Sequence, residues 1–286
     1  MTRDKITIND IQARKAGPKL TMITAYDAPM ARIADQAGAD IILVGDTLAD
    51  NVLGFPDTLA ATVDIMVHHT SAVTRAQPRS LVIGDMPWLS YHVSVEETVR
   101  NAGRLIREGR ADAVKLEGGR KRLPMVEAIL AAEIPVMGHL GLTPQSVRAM
   151  GGYRVQGRQV NPARELLEDA RALAAAGIFA LVLEGVPDIL AKAITEAVPV
   201  PTIGIGAGPH CNGQVLVFHD VLGLHLNAHT AKFVRQYAHL AETAVAALQA
   251  FFADVQSGEF PSDAESYHMD AETARLFQDM TGGIED

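Results

Sequence analysis

Short apolar runs, each followed by a stretch of helical periodicity, recur along this chain and constrain its fold more than any other feature. The runs are TMITAYD (21–27), IILVGD (41–46), LVIGD (81–85), AVKLEGG (113–119), IPVMGHLG (134–141), ALVLEG (180–185) and PTIGIGAG (201–208), with a weaker one, VLGLH, at 221–225. They are nearly continuous in apolar residues instead of alternating, the pattern of parallel strands covered on both faces. Helices fit the gaps. Met30, Ile33, Ala34 and Ala37 share a stripe ahead of Gly38, and Ser94 and Glu97 have capping-box spacing. Asn161 and Pro162 open a further helix that Gly177 closes. Strands alternating with helices mean a parallel sheet. Eight such units in 286 residues predict a single-domain (β/α)8 TIM barrel, with an open doubly wound sheet as the alternative. The barrel is expected over residues 1–260 after a short N-terminal extension, with an acidic, weakly patterned and mobile tail over 261–286. The Gly-rich connection 141–160 is long enough to act as an active-site cover.

A net charge of -9 argues against a general nucleic-acid binder, which needs a basic surface. Cys211 is the single cysteine, so no intrachain disulfide forms and a reducing compartment fits best. MTRDKITIND at the start lacks the apolar core of a signal peptide, and ALAAAGIFALVL (172–183) is too short to span a bilayer. A cytoplasmic protein with no membrane partner is expected.

Several runs finish in an ionisable residue: Asp46, Asp85, Lys115 with Glu117, His139 and Glu184. In a barrel the C-terminal strand ends converge on one mouth, where active sites lie. Each residue also has a plainer role: Asp46, Asp85 and Glu184 could cap the next helix, and His139 could be a hydrogen-bonded core histidine. Clustering so many carboxylates is unfavourable without counter-ions. Lys115 supplies one charge and a divalent cation would supply two more. All-oxygen donors suit Mg²⁺ with waters and a bound substrate, whereas zinc favours His or Cys. His225 and His229 have metal-pair spacing but no third ligand in view, adjacent His68 and His69 point apart, and Cys211 lacks a partner base. GIGAG (204–208) fits either a phosphate loop or close backbone packing. Mg²⁺ beside a carboxylate base suits proton removal next to the carbonyl of a 2-oxo acid.

The stretches TAYD, LVGDTL, HHTSAV, VKLEGG, PVMGHLGLTPQSV, GGYRVQGR, LVLEGVP, IGIGAG and GQVLVFHDVLGL run in order from about residue 20 to about 260. Together they resemble the ketopantoate hydroxymethyltransferases (3-methyl-2-oxobutanoate hydroxymethyltransferases). The resemblance implies a (β/α)8 barrel, a Mg²⁺ cofactor and 5,10-methylenetetrahydrofolate as one-carbon donor to 3-methyl-2-oxobutanoate, giving 2-dehydropantoate on the route to pantothenate and coenzyme A. It implies Asp46, Asp85 and Glu117 at the metal, and Asp46, Asp85, Thr47, Lys115 and His139 around the substrate. Glu184 is implied as the proton acceptor and a homo-oligomer, often a decamer, as the assembly. Thr47 stands where the family usually has Ser, LADN (48–51) replaces a segment close to LGM, and Gly185 replaces Cys. These departures bear on acceptor specificity. Other readings are a Mg²⁺-dependent C–C lyase of the phosphoenolpyruvate mutase/isocitrate lyase type and a non-catalytic barrel.

Overall fold

The computed structural model describes residues 4–226 and 231–282. Eight strands form a closed, all-parallel barrel in sequential order: β1 Leu20–Thr24, β2 Ile41–Val44, β3 Leu81–Asp85, β4 Ala113–Glu117, β5 Val136–Gly141, β6 Ala180–Glu184, β7 Thr202–Ile205 and β8 Gly213–Leu216. The helices are α1 Ile8–Ala13, α2 Ala28–Gln36, α3 Leu48–Asn51, α4 Val63–Arg75, α5 Val95–Arg107, α6 Leu123–Ala131, α7 Val147–Met150, α8 Val160–Ala176, α9 Asp188–Ala197, α10 Phe218–Leu222, α11 Leu240–Ser257 and α12 Ala271–Thr281. The closed ring rules out the open sheet. No described helix is long and apolar enough to cross a membrane.

Side-chain alternation along each strand divides the core in two. Ile41 and Leu43 on β2, Leu81 and Ile83 on β3, Met137 on β5 and Val182 on β6 pack in an inner cluster, to which α1 contributes Ile11. Their neighbours Ile42, Val44, Val82, Val114, Leu116, Val136, Leu181 and Leu183 pack outward against the helices. Both faces of β2 to β6 therefore carry buried apolar side chains. Helix ends follow the sequence signals. Ser94 accepts from the Glu97 N–H at 3.1 Å to start α5, and Gly177, at φ 104°, closes α8.

The eighth strand differs from the sequence expectation. It is GQVL (213–216), not VLGLH (221–225), whose first residues end α10. No helix separates β7 from β8. Residues 206–212, at about 3.3–3.6 Å each, are enough to run back along so short a strand. Beyond the barrel, α11 buries only Ala241, and α12, in the stretch expected to be a tail, buries no residue.

Candidate active site

Strand parity brings the ionisable residues together. Asp85 continues the inward row of Leu81 and Ile83, Lys115 and Glu117 that of Ala113, His139 that of Met137, and Glu184 that of Ala180 and Val182. Register then sets the pairs: Asp85 lies opposite Lys115, and Glu117 opposite His139. Asp46 arrives differently, from the turn after β2, where its backbone N–H donates to Asp85 Oδ2 at 3.2 Å. All the residues singled out from the sequence, Asp46, Thr47, Asp85, Lys115, Glu117, His139 and Glu184, line one cavity. It is a small cavity of about 60 Å³ that also takes in Thr24, Pro144 and Val217. The capping alternatives do not describe these residues: the N-cap positions of α3 and α9 are Thr47 and Pro187, neither with a side-chain cap, and α5 is capped by Ser94.

The groups form a chain of ion pairs around the mouth. Lys115 Nζ is 2.9 Å from Asp85 Oδ1. His139 lies between two carboxylates, with Nδ1 3.4 Å from Glu117 Oε1 and Nε2 3.2 Å from Glu184 Oε2. Burial pushes the Asp46 carboxyl well above the ordinary range, helped by the charges of Asp85 and Glu117 and opposed by Lys115. Burial also raises Asp85, with Lys115 opposing. At Lys115 burial works against the charge, yet the Asp85, Glu117 and Asp46 carboxylates outweigh it and raise the ammonium's pKa. Burial and Lys115 both disfavour a charged His139, but the neighbouring Glu117 and Glu184 carboxylates raise it to about 9. Glu184 is the least enclosed carboxylate, with 15% of its side chain exposed against 1% for Asp85, and so reaches the cavity.

Backbone geometry fixes the Glu184 side of the mouth. Gly141 ends β5 at φ 99°, and a Cβ there would lie 2.1 Å from the Glu184 carbonyl oxygen. That contact admits only glycine, and it lets the Leu142 N–H donate to the same oxygen at 2.8 Å. Thr47 Oγ1 hydrogen-bonds Tyr26 Oη at 2.8 Å, so its hydroxyl is held at the rim.

Two buried residues not singled out in the sequence analysis belong to this site. Gln145, in the 141–160 connection, donates from Nε2 to Asp46 Oδ2 at 2.9 Å and from its backbone N–H to Glu117 Oε2 at 3.1 Å. Tyr91 donates to Gln145 Oε1 at 2.5 Å and accepts from the Glu117 N–H at 3.3 Å. Neither carries a charge or a parity signal; the only pointer to Gln145 is its place in the LTPQS stretch. The N-terminal part of the connection thus forms a wall of the site. The remaining candidates lie elsewhere or do other work. His69 Nδ1 bonds the Tyr26 carbonyl at 2.7 Å while His68 is exposed. His225 Nε2 is 3.7 Å from Asp220, and His229 lies outside the described residues. Cys211 is buried, and burial raises its thiol above the ordinary value. In GIGAG, Gly204 packs on Cys211 Sγ and Gly206 on the Phe233 ring.

Among the described residues no three His, Cys, Asp or Glu side chains form a ready-made metal cage. Asp46 and Asp85 adjoin through the Asp46 N–H, whereas Glu117 is engaged by Gln145 and His139. Such a donor set suits a hard cation that keeps waters and substrate oxygens among its ligands.

Comparison with known proteins places the chain. A family model described as ketopantoate hydroxymethyltransferase matches residues 5–263. The 3-methyl-2-oxobutanoate hydroxymethyltransferase of Moorella thermoacetica is 56% identical over 266 residues, covering 93% of this chain and 98% of its own. That of Syntrophobacter fumaroxidans is 51% identical over 284 residues, 99% of each chain. Among solved structures, an oxaloacetate acetylhydrolase complexed with 3,3-difluorooxalacetate aligns with a TM-score of 0.58 at 15% identity, over 99% of this chain and 100% of its own. A 2,3-dimethylmalate lyase of the PEP mutase/isocitrate lyase superfamily aligns at 0.57 and 16%, over 98% of both. At those identities the likeness is one of fold. With a family match that takes in all eight strands and every residue of the mouth, the chain belongs to the ketopantoate hydroxymethyltransferase family of transferases.

Proposed function

We propose that this protein transfers a hydroxymethyl group from 5,10-methylenetetrahydrofolate to 3-methyl-2-oxobutanoate, giving 2-dehydropantoate, with Mg²⁺ as cofactor. The observation that carries the reading is the buried trio Asp46, Asp85 and Glu117, balanced by Lys115 and His139 alone apart from neutral donors. Asp46 and Asp85 are the residues to hold the cation, with Glu117, both of whose oxygens already have partners, completing the site through solvent. Bound there, Mg²⁺ supplies Lewis-acid polarisation of the 2-oxo acid's oxygens.

The chain's own groups carry the proton and the charge. Lys115 offsets negative charge on the substrate, and the Thr47 hydroxyl, aligned by Tyr26, offers it a hydrogen bond at the rim. Glu184 takes the C3 proton. His139, doubly engaged by Glu117 and Glu184, aims the Glu184 carboxylate into the cavity. The electron pair left at C3 forms the new bond to the donor's methylene carbon, which gives up both its bonds to the folate nitrogens and gains its hydroxyl oxygen from one water. Tetrahydrofolate leaves with two N–H hydrogens, supplied by that water and the C3 proton. The test is NMR of 3-methyl-2-oxobutanoate in D₂O with protein and Mg²⁺, before and after adding the folate. The C3 proton signal should disappear first, and 2-dehydropantoate should form once folate is present. Glu184→Gln should still bind the acid and lose the exchange, and unchanged exchange would remove Glu184 from the base role.

The same reading makes the protein a cytoplasmic homo-oligomer, a decamer by its family resemblance. The exposed apolar side chains Leu248, Phe251 and Phe252 on α11 support self-association. So does an apolar groove of about 300 Å³ lined by Ile33, Ala34, Phe218 and Leu222 on the outside of the barrel.

A further inference from the structure

We infer that Gln145 is a positioning residue for the metal site, presetting which oxygen of Asp46 is free to bind the cation. The inference rests on the Mg²⁺ reading above and adds a residue to it. Gln145 is 4% exposed, and its amide is fully used. Nε2 has two hydrogens and two acceptors, Asp46 Oδ2 at 2.9 Å and the Met86 carbonyl at 2.9 Å. Oε1 receives the Tyr91 hydroxyl hydrogen at 2.5 Å. Turning the amide over would set Oε1 against a carboxylate and a carbonyl, and aim an NH₂ at a hydroxyl whose acceptor capacity is already engaged by the Glu117 N–H. Tyr91 therefore fixes the amide, and the amide fixes Asp46.

The consequence for Asp46 is specific. With Oδ2 held by Gln145 and the backbone N–H given to Asp85, its carboxylate has Oδ1 left for a ligand in the cavity. One-oxygen ligation is what a compact octahedral cation with retained waters demands. Partners that orient a ligating group in this way matter almost as much as the ligand itself. Because Gln145 holds Glu117 through its backbone N–H, side-chain variants keep that contact and lose the bonds to Asp46, Met86 and Tyr91, of which only the first is to a metal-site carboxylate.

The experiment measures Mn²⁺ binding to the metal-free protein by electron paramagnetic resonance, with no substrate and no turnover. Gln145→Leu should fall roughly 10–100-fold in Mn²⁺ affinity. Tyr91→Phe, which keeps the Gln145–Asp46 bond but releases the amide's other end and the Glu117 N–H, should fall by less in the same direction. A Gln145→Leu protein that binds Mn²⁺ as the parent does overturns the inference while leaving the metal reading intact. If that variant does not fold, Tyr91→Phe decides, and an unchanged affinity overturns it. Failure of the parent itself to bind Mn²⁺ overturns the metal reading and this inference with it.

Discussion

Lys115 is the residue on which the mouth's electrostatics turn. It is an ammonium enclosed in the barrel, 2.9 Å from Asp85, and within the fields of Glu117 and Asp46 as well. Taking that charge out of water is unfavourable by itself; the carboxylates compensate it, and it compensates them. Removing it leaves the carboxylates with His139 as their remaining cation in the site. Lys115→Met should therefore cost about 3–5 kcal/mol of unfolding free energy at neutral pH, measured in urea without added metal. Adding Asp85→Asn to Lys115→Met removes the orphaned charge, so the double variant should be more stable than the single one. If the double variant is the less stable of the two, the ion pair is not what holds Lys115 in place. The same pair explains the spacing in AVKLEGG: residues two apart on a strand share a face, and here that face is the interior of the barrel mouth.

At the scale of elements, β8 shows where sequence pattern and geometry part. Gly213 has no side chain, and its Cβ position is filled by neighbours: an added carbon would lie 2.7 Å from Leu20 Cβ, from the Leu20 carbonyl oxygen and from Ile203 Cδ1. Gly213→Ala forces β8 away from β1 and β7 at the seam that closes the ring, and should cost about 1–3 kcal/mol in urea unfolding. A variant as stable as the parent would show that the seam yields freely. The strands from β2 to β7 are legible because both their faces are buried, which leaves nearly continuous apolar runs. In GQVL a glycine and an exposed glutamine interrupt the run, so the more apolar VLGLH nearby drew the assignment, although it ends a short helix. The site divides the same way. Asp85, Lys115, Glu117, His139 and Glu184 follow from strand parity and charge, whereas Asp46 enters from a turn and is reached only through its charge. Gln145 and Tyr91 are neutral residues in loops, and their role exists only in the hydrogen bonds they make across the mouth.

For the whole molecule, α11 is the outlying element. It follows the last strand, the place of a barrel's eighth outer helix, yet apart from Ala241 all of its side chains are exposed. Leu248, Phe251 and Phe252 are each 44–53% exposed, which is a large apolar face for one helix to hold in water. The complementary feature lies on the barrel: the apolar groove beside α2 and α10 is open where an eighth helix would close the ring. A single chain thus presents both an uncovered apolar helix and an uncovered apolar groove, and in the homo-oligomer proposed above a second copy would supply what each lacks. Burying a Leu or Phe side chain contributes about 1.5–3 kcal/mol. Exchanging two of them for charges should therefore weaken association by about 100-fold or more. Leu248→Asp combined with Phe252→Asp should move the mass from light scattering toward that of one chain, 30.6 kDa. The barrel's far-UV circular dichroism should be retained, because these side chains make no contribution to its core. If the parent already runs as one chain, self-association through α11 fails. A variant that keeps the parent's mass instead places the interface elsewhere on the barrel.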